Sequence, residues 1–311
     1  MEENKTFRVL SGLGIILVVC GHAQCGWLDF GGYLDYDAFH MPLFIFISGY
    51  FFRSSNIEHI GKTIRHKFRT LVVPFVFWNI VYYFIFVIFF RGRILYLEYQ
   101  GPLQLNADYF KQLFFGIGNA SYFCSPAWFL INLFYCEMLY ILLRKIMVKV
   151  KIDIWWFRCL CMLGMSFLGV TMCRNNLLGD YSLVVGRIMY GLLYYEAGTT
   201  MCELNKLVKH VKRLQEALLV FAILSVVFIN LKVQTRIVVP YIYGMFYWNY
   251  AIIIMQAFSG IIIWYSIAYF LEPVLYKIKN FYYIATHTKE IMLHHLFIYK
   301  CWMILILWIL K

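Results

Sequence analysis

The chain has 311 residues, of which 62% are hydrophobic and only 14% are charged, whereas about 25% of the residues of ordinary soluble domains are charged. One soluble core of this size cannot hide so much apolar surface, and the apolar residues recur in blocks near the length that spans a membrane. The composition excludes a soluble globular protein and predicts an all-α, polytopic membrane helical bundle.

The net charge of +12 does not indicate a nucleic-acid partner. The basic residues stand in short loops between apolar blocks, which is the placement that the positive-inside rule describes. The nine cysteines include no Cys-x-x-Cys pair and lie mostly within apolar blocks, where they behave as small buried hydrophobic residues. We therefore expect no nucleic-acid partner, no disulfide framework and no metal site.

Nine apolar blocks follow one another along the chain, and the charges of their connectors predict which side each connector faces. Three connectors hold thirteen Lys and Arg residues, whereas four others, about twice as long in total, hold six. The richer set is expected to face the cytoplasm, which places the N-terminus inside. The blocks are 8–28, 39–52, 70–90, 126–143, 152–173, 182–201, 215–231, 250–271 and 288–310; the basic connectors are 53–69, 144–151 and 206–213.

The number of spans is left open between nine and ten. A tenth span would lie within 237–271 or within 109–125, where the chain is also rich in apolar and aromatic residues. No internal repeat or linker divides the sequence. We expect a single integral-membrane domain over residues 1–311 with about nine to ten transmembrane helices.

The first two blocks form a predicted hairpin in which each block carries one histidine. His22 lies fourteen residues after Arg8, roughly 21 Å along a helix axis, and therefore in the outer half of the membrane. His40 begins the second block and lies near the same side. A histidine within a membrane is usually functional, and it can accept a proton from a hydroxyl nucleophile. We predict His22 as the functional residue, whereas interfacial anchoring explains His40 equally well.

A basic run stands just before the third block. Arg65, Lys67 and Arg69 alternate with other residues in this run and face the cytoplasm in the predicted topology. Such side chains bind the phosphates of a nucleotide-bearing donor. Positive-inside topology and contact with anionic lipid headgroups also account for such a run. On composition alone, topology and lipid contact explain the run better than donor binding does.

Other polar side chains lie inside the later blocks. A charge in a membrane is costly, so each is expected to have a partner on another helix. Trp128 and Asn132 are one helical turn apart, which puts an indole and an amide on one face, although aromatic packing also accounts for Trp128. The embedded ionisable residues are Glu137, Arg158, Arg187, Glu196, His294, His295 and Lys300.

These features fit two classes of membrane protein. A basic inner mouth and an outer histidine pair fit a transferase that uses a cytoplasmic phosphorylated donor. The same buried charges fit a proton-coupled transporter or a flippase for a glycan precursor. A subunit that binds a donor without turning it over is a third hypothesis.

The motifs also resemble the acyltransferase-three superfamily of membrane O-acyltransferases, and specifically its bacterial fucose-acetylase-like branch. FHMPLFIFISGYFF is close to the family's second-span pattern of His-Met-Pro-Leu followed by Ser-Gly-Tyr. GIILVVCGH resembles the first-span motif ending in Gly-His, HKFRTLVVPF the basic run before the third-span proline, and PAWFLINLFY the Trp-Phe-Leu block. The segment from Arg187 to Gly198 resembles a later span, and THTKEIMLHHLF resembles the closing helix with its histidine at His295. The resemblance covers nearly the whole chain.

The resemblance implies a multi-pass enzyme of the bacterial inner membrane. Such enzymes move an acetyl or similar group from acyl-coenzyme A to a sugar hydroxyl of a surface polysaccharide, lipopolysaccharide or its lipid-linked precursor. His22 would be the essential histidine, and Arg65, Lys67 and Arg69 would bind the coenzyme A phosphates. Membrane lipids are expected partners. The residues expected to orient the acceptor or stabilise developing charge are His40, Trp128, Asn132, Arg187 and His295.

Two positions depart from the family pattern. Ser11 stands eleven residues before the histidine, where the family usually has Arg or Lys; Arg8 lies one turn earlier on the same helical side. Lys67 and Thr70 occupy the nearest equivalents of the family's Arg-x-x-Arg. Both departures concern the donor rather than the fold.

Overall fold

The structure is a computed structural model that describes residues 4–23, 33–85, 105–116, 122–207, 211–232 and 250–309. All regular secondary structure in these ranges is helical, as the composition predicts. The α-helices are α1 Lys5–His22, α2 His40–Tyr50, α3 Ser55–Glu58, α4 Ile60–Lys67, α5 Val73–Ile85, α6 Ala107–Phe115, α7 Trp128–Lys149, α8 Trp155–Arg174, α9 Ser182–Leu207, α10 Val211–Lys232, α11 Tyr250–Leu275, α12 Lys279–Thr286 and α13 Thr288–Ile309. A π-helical turn at Phe68–Val72 joins α4 to α5, and short 3-10 turns lie at Tyr36–Ala38, Tyr122–Ala127 and Gly179–Tyr181.

Several of these helices can cross a membrane. Within the described ranges, four helical segments are long and apolar enough to do so, and α10 contains a shorter apolar stretch, Gln215–Leu231. The number of nine to ten spans and the cytoplasmic N-terminus stay predictions. Of the two places for a tenth span, residues 237–249 lie outside the described residues, and α6 has only nine residues, too few to cross a bilayer. The four segments are Lys5–His22, Ile60–Ile85, Trp155–Arg174 and Tyr250–Leu275.

Helices α1 and α2 form an antiparallel hairpin that is fixed at both ends. At one end, the Phe7 ring stacks on Tyr50 with centroids 3.7 Å apart, and the Asn4 amide donates to the Tyr50 hydroxyl at 2.9 Å. At the other end, the Tyr36 hydroxyl donates to the carbonyl of Gly21 at 3.2 Å. The last residue of α1 and the first residue of α2 therefore lie at the same end of the bundle.

The start of α2 follows from its sequence. Pro42 is the third residue of the helix, where its missing N–H costs nothing because the first-turn N–H groups have no intrahelical partner. The preceding Phe39 is fully buried and stacks on Trp264 of α11 with ring centroids 6.4 Å apart. A Cβ on Gly260 would collide with the Phe39 ring. The small residue on α11 thus positions the first turn of α2.

Helix α2 packs on α9 with direct contact between the two backbones. A Cβ added at Gly49 would collide with the carbonyl of Tyr195, and one added at Gly198 would collide with the carbonyl of Phe46. The Thr199 hydroxyl donates to the Gly49 carbonyl at 3.0 Å. Small residues are the usual means by which membrane helices approach so closely. The Ser-Gly-Tyr motif of α2 therefore has a packing function at its glycine.

A buried charge network joins α7, α8 and α9. The Arg158 Nε donates to Glu196 Oε1 at 2.9 Å, and the Tyr140 hydroxyl donates to Glu196 Oε2 at 2.6 Å. Arg144 donates to the same hydroxyl at 3.0 Å and pairs with Asp153 at 2.8 Å. The expectation that Arg158 and Glu196 have partners on other helices is confirmed. Their charges pair across the helices and hold α7, α8 and α9 together.

We expect Gly49→Ala to destabilise the protein by about 1–3 kcal/mol, because the added methyl group has no space between the two backbones. Thermal unfolding of the detergent-purified protein measures this loss. Gly164→Ala on α8 is the matched control, since nothing lies within 4 Å of its added Cβ and alanine favours the helix. Equal unfolding temperatures for Gly49→Ala and the wild type would contradict the close backbone contact.

Candidate active site

The structure brings His22 and His295 together. His22 ends α1 and His295 lies on α13, 273 residues later, yet their ring centroids are 5.4 Å apart. The His22 side chain is exposed, whereas His295 is half-buried behind it. At this separation, facing ring nitrogens can approach hydrogen-bond distance with a small rotation of either ring.

The hydrogen bonding of His295 determines which of its nitrogens carries the proton. Its Nδ1 lies 2.8 Å from the carbonyl oxygen of Ile291. A carbonyl only accepts, so Nδ1 carries the hydrogen and Nε2 of the neutral ring holds a lone pair. That Nε2 atom is buried and has no hydrogen-bond partner in the part of the chain that the structure describes. An unsatisfied acceptor beside a second imidazole is well suited to receive its N–H.

The neighbouring His294 has a different environment. Its Nδ1 lies 2.5 Å from the Tyr82 hydroxyl of α5, and its ring meets Trp78 edge-on with centroids 4.5 Å apart. Successive residues on a helix point about 100° apart, so one histidine packs on α5 while the next turns towards α1. This geometry separates a structural histidine from a candidate functional one.

His40 lies at the same end of the bundle as His22, as the hairpin prediction requires. It is buried, with 8% of its surface exposed, and is close enough to His22 to interact electrostatically. Its Nδ1 donates to the Tyr36 carbonyl at 2.6 Å and lies 3.7 Å from an Asp37 oxygen. Burial raises the pKa of Asp37, which weakens this pair as an ionic contact. The ring of His40 is held in one orientation by the backbone.

Arg187, Trp128 and Asn132 are all buried. The Arg187 guanidinium carbon lies 4.3 Å from the centre of the Trp128 ring, a cation–π contact, and Nη1 donates to the carbonyl of Gly116 at 3.2 Å. Asn132 lies one turn after Trp128 on the same helix, α7. The structure thus pairs two of these predicted site residues with each other, and the 3-10 turn before α7 packs on α13, the helix of His295.

The predicted donor residues divide into two groups. Arg65 and Arg69 are exposed, whereas Lys67 turns inwards and its Nζ lies 2.7 Å from Oε1 of Glu137 on α7. The Glu137 side chain is fully buried and also accepts from the Ser48 hydroxyl. The serine of the Ser-Gly-Tyr motif therefore supports an ion pair. Lys67 has an anionic partner within the protein, whereas Arg65 and Arg69 have no ion pair with any residue in the described ranges.

A π-helical turn follows Lys67 and contains Arg69. Pro74 has no N–H to donate to the carbonyl of Thr70, four residues earlier. The Thr70 hydroxyl donates to the carbonyls of His66 and Lys67 at 3.0 and 3.3 Å. The chain widens to a π-helix over Phe68–Val72, a local irregularity that is frequent at functional sites. The irregular hydrogen bonding thus coincides with the predicted donor residues.

The basic run and the histidines lie at different depths. Ser48, which reaches Glu137, is eight residues after His40 on α2, about 12 Å along the helix axis. The same helix therefore carries the histidine level at its start and the Lys67–Glu137 level near its end. Any donor held by the basic run must extend along this part of the bundle to reach His22.

Ser11 does not replace the missing cation in α1. Its hydroxyl donates to the carbonyl of Phe7 at 2.9 Å, within its own helix. Arg8 lies one turn earlier and is half-buried. A positive charge in α1 is therefore available only nearer the N-terminus than in the family pattern.

Sequence reasoning did not identify two contributors to this arrangement. Tyr36 holds Gly21 through its hydroxyl and His40 through its carbonyl, yet it lies in a connector without a motif. Glu137 was expected to have a partner, but Lys67 precedes it by seventy residues and no spacing rule relates the two. Contacts between distant segments leave no such signal in one sequence.

Comparison with known proteins identifies a family for this chain. A model of the family described as acyltransferase domain matches residues 5–310, nearly the whole chain. No curated protein and no solved structure matches this sequence.

We expect Lys67→Ala to destabilise the protein by about 3 kcal/mol, because it leaves the buried Glu137 carboxylate without its cation. Lys67 is 27% exposed, which places the loss at the low end for a buried pair. The double variant Lys67→Met/Glu137→Leu should recover most of the stability, since it removes both charges. Thermal unfolding measures both, with Arg65→Ala as the exposed control. A double variant as unstable as the single one would argue against the ion pair.

Proposed function

We infer the reaction from the family to which this chain belongs: it is a member of the acyltransferase domain family and an acyltransferase. We propose that it moves an acetyl or similar group from acyl-coenzyme A to a sugar hydroxyl of a bacterial surface polysaccharide or its lipid-linked precursor. The fucose-acetylase-like motifs of α1 and α2 support this choice of substrates. The bacterial inner membrane, with the N-terminus in the cytoplasm, is the proposed location, and the distribution of Lys and Arg among the connectors supports it.

The observation that carries the proposal is the contact between His22 and His295. His22 is exposed at the end of α1. Its ring centroid lies 5.4 Å from that of His295, whose buried Nε2 has no hydrogen-bond partner among the described residues. If His22 donates one N–H to His295, its other nitrogen presents a lone pair to the substrate. This is the arrangement of a general base held in one tautomer by a second residue.

The transfer then proceeds as an acyl substitution. His22 takes the proton of the sugar hydroxyl as the oxygen attacks the thioester carbonyl carbon, and a new carbon–oxygen bond forms. The carbon–sulfur bond then breaks, and the coenzyme A thiolate receives the proton back from His22. Arg187 and Asn132 are proposed to stabilise the negative charge that develops on the carbonyl oxygen, while Trp128 positions Arg187. His40 orients the acceptor.

The donor is proposed to bind at the other level of the bundle. Arg65 and Arg69 are exposed and flank the inward-facing Lys67, so their guanidinium groups are the accessible phosphate ligands. Lys67 contributes positive charge from behind while it stays paired with Glu137. The thioester arm then extends about 12 Å along α2 towards His22.

We expect His22→Ala to lower acyl transfer by roughly 10²–10⁴-fold, because no other group at that position accepts the hydroxyl proton. Incorporation of label from acetyl-coenzyme A into membrane glycan measures the effect at matched protein level. His59→Ala, an exposed histidine after α3, is the control. Near-normal transfer by His22→Ala would end this mechanism, and movement of glycan without ester formation by the wild type would favour a transporter.

We expect Arg65→Ala and Arg69→Ala each to raise the KM for acetyl-coenzyme A about tenfold, because each removes a charge-assisted hydrogen bond to phosphate. The kcat should change little, since neither residue reaches the thioester. Steady-state kinetics at several salt concentrations check the prediction, with Lys149→Ala as an exposed basic control on the same predicted side. A fall in kcat at unchanged KM would place the donor elsewhere.

A further inference from the structure

The side chain of Tyr36 packs on the end of α1 that carries His22. Its hydroxyl donates to the carbonyl of Gly21 at 3.2 Å. That carbonyl is among the last four of α1, none of which has an N–H partner four residues later within the helix. A Cβ on Gly21 would collide with the Tyr36 ring, so the ring lies directly on the backbone. A hydrogen bond and a packing contact therefore hold the residue that precedes His22.

The backbone of Tyr36 holds the second histidine of the hairpin. Its carbonyl accepts the Nδ1–H of His40 at 2.6 Å and the N–H of Phe39 at 3.2 Å. The centroids of the Tyr36 and His40 rings are 5.8 Å apart. Because Nδ1 carries the hydrogen, the lone pair of the neutral His40 ring is on Nε2. One residue thus contacts both helices of the hairpin at the level of the histidines.

The position of Tyr36 is itself fixed by its neighbours in the 3-10 turn Tyr36–Ala38. The buried carboxylate of Asp35 accepts the N–H of Asp37 at 2.9 Å and so caps the turn. The turn leads into Phe39, whose ring is fully buried and packs against α11. The contacts of α2 and α11 therefore determine where the Tyr36 side chain meets α1.

The position of the His22 ring depends on how well the end of α1 is held. His22 is the last residue of the helix, and helix ends fray because their last carbonyls lack partners within the helix. The ring centroid of His22 lies 5.4 Å from that of His295, which leaves little room for movement if an N–H is to reach the neighbouring ring nitrogen. A displacement of about 1 Å in such an arrangement can cost roughly 10²-fold in rate.

We propose that Tyr36 is a positioning residue for the acyl transfer. It holds the last turn of α1 so that the His22 ring stays beside His295 and close to His40. The inference rests on the proposed function and adds a residue that acts through His22 and needs no contact with substrate. The hydroxyl of Tyr36 is the group to test, because a phenylalanine keeps both the ring and the backbone carbonyl.

Tyr36→Phe should lower the kcat of acyl transfer about tenfold. The KM for acetyl-coenzyme A should stay unchanged, because the proposed donor residues lie at the other level of the bundle. Tyr250→Phe is the matched control, since its hydroxyl also donates to a backbone carbonyl, that of Leu163, at 3.0 Å. Tyr33→Phe makes the same change at an exposed residue of the same connector and should have no effect.

A double-mutant cycle separates positioning from a loss of stability. In the His295→Ala background the contact with His22 is already absent, so Tyr36→Phe should change kcat by no more than about twofold. Hydrogen exchange supplies a second measurement that needs no substrate. The amides in the last turn of α1 should exchange about fivefold faster in Tyr36→Phe than in the wild type, because one hydrogen bond to that turn is lost.

A normal kcat in Tyr36→Phe would overturn the inference. Equal losses of kcat in Tyr36→Phe and Tyr250→Phe would also overturn it, as would a fully additive loss in the His295→Ala background, since both indicate an effect on stability alone. If Tyr36→Phe does not fold, Gly21→Ala replaces it, because the added methyl group displaces the Tyr36 ring and should cause the same losses. A wild type that transfers no acyl group would contradict the proposed function itself, whereas hydrogen exchange would still report the contact between Tyr36 and α1.

Discussion

The backbone contact between α2 and α9 is the constraint on which the other arrangements depend. Gly49 and Gly198 allow the two helices to touch without side chains between them, and the Thr199 hydroxyl holds the Gly49 carbonyl at 3.0 Å. Helix α2 carries His40 at its first turn and Ser48 near its end. Fixing this one helix therefore sets the histidine level and the Lys67–Glu137 level at the same time, about 12 Å apart.

The second principle is that buried charges pair with each other. Arg158 is satisfied by Glu196 at 2.9 Å, and Lys67 is satisfied by Glu137 at 2.7 Å. A charge without a partner is too costly inside a membrane bundle to be kept for packing alone. Arg65 and His22 are exposed, and we propose that they contact the donor and the acceptor directly.

We propose that the donor and the acceptor bind at the two different levels, the Lys67–Glu137 level and the histidine level. In the proposed mechanism, the phosphates of the donor bind the exposed guanidinium groups beside the π-helical turn, and the acceptor binds at His22. The proposed acyl transfer needs a proton acceptor with a fixed tautomer, and that residue is His22. The Nδ1–H bond of His295 to the Ile291 carbonyl leaves the Nε2 lone pair of His295 to accept the N–H of His22.

The sequence by itself determined the class of protein, the family and the helical character of the chain. Repeated apolar blocks leave no alternative to membrane helices, because backbone groups in lipid must be satisfied within one segment, and motifs such as His-Met-Pro-Leu are local strings. It also placed His22 and His40 at one end, since that follows from helix length and the hairpin turn. Only the tertiary structure decided that His295 faces His22 and that Lys67 faces inwards to Glu137. His22 and His295 are 273 positions apart, and Lys67 and Glu137 are 70 positions apart. The packing of the helices decides which side chains meet across such separations, and residue spacing within one helix does not encode that packing.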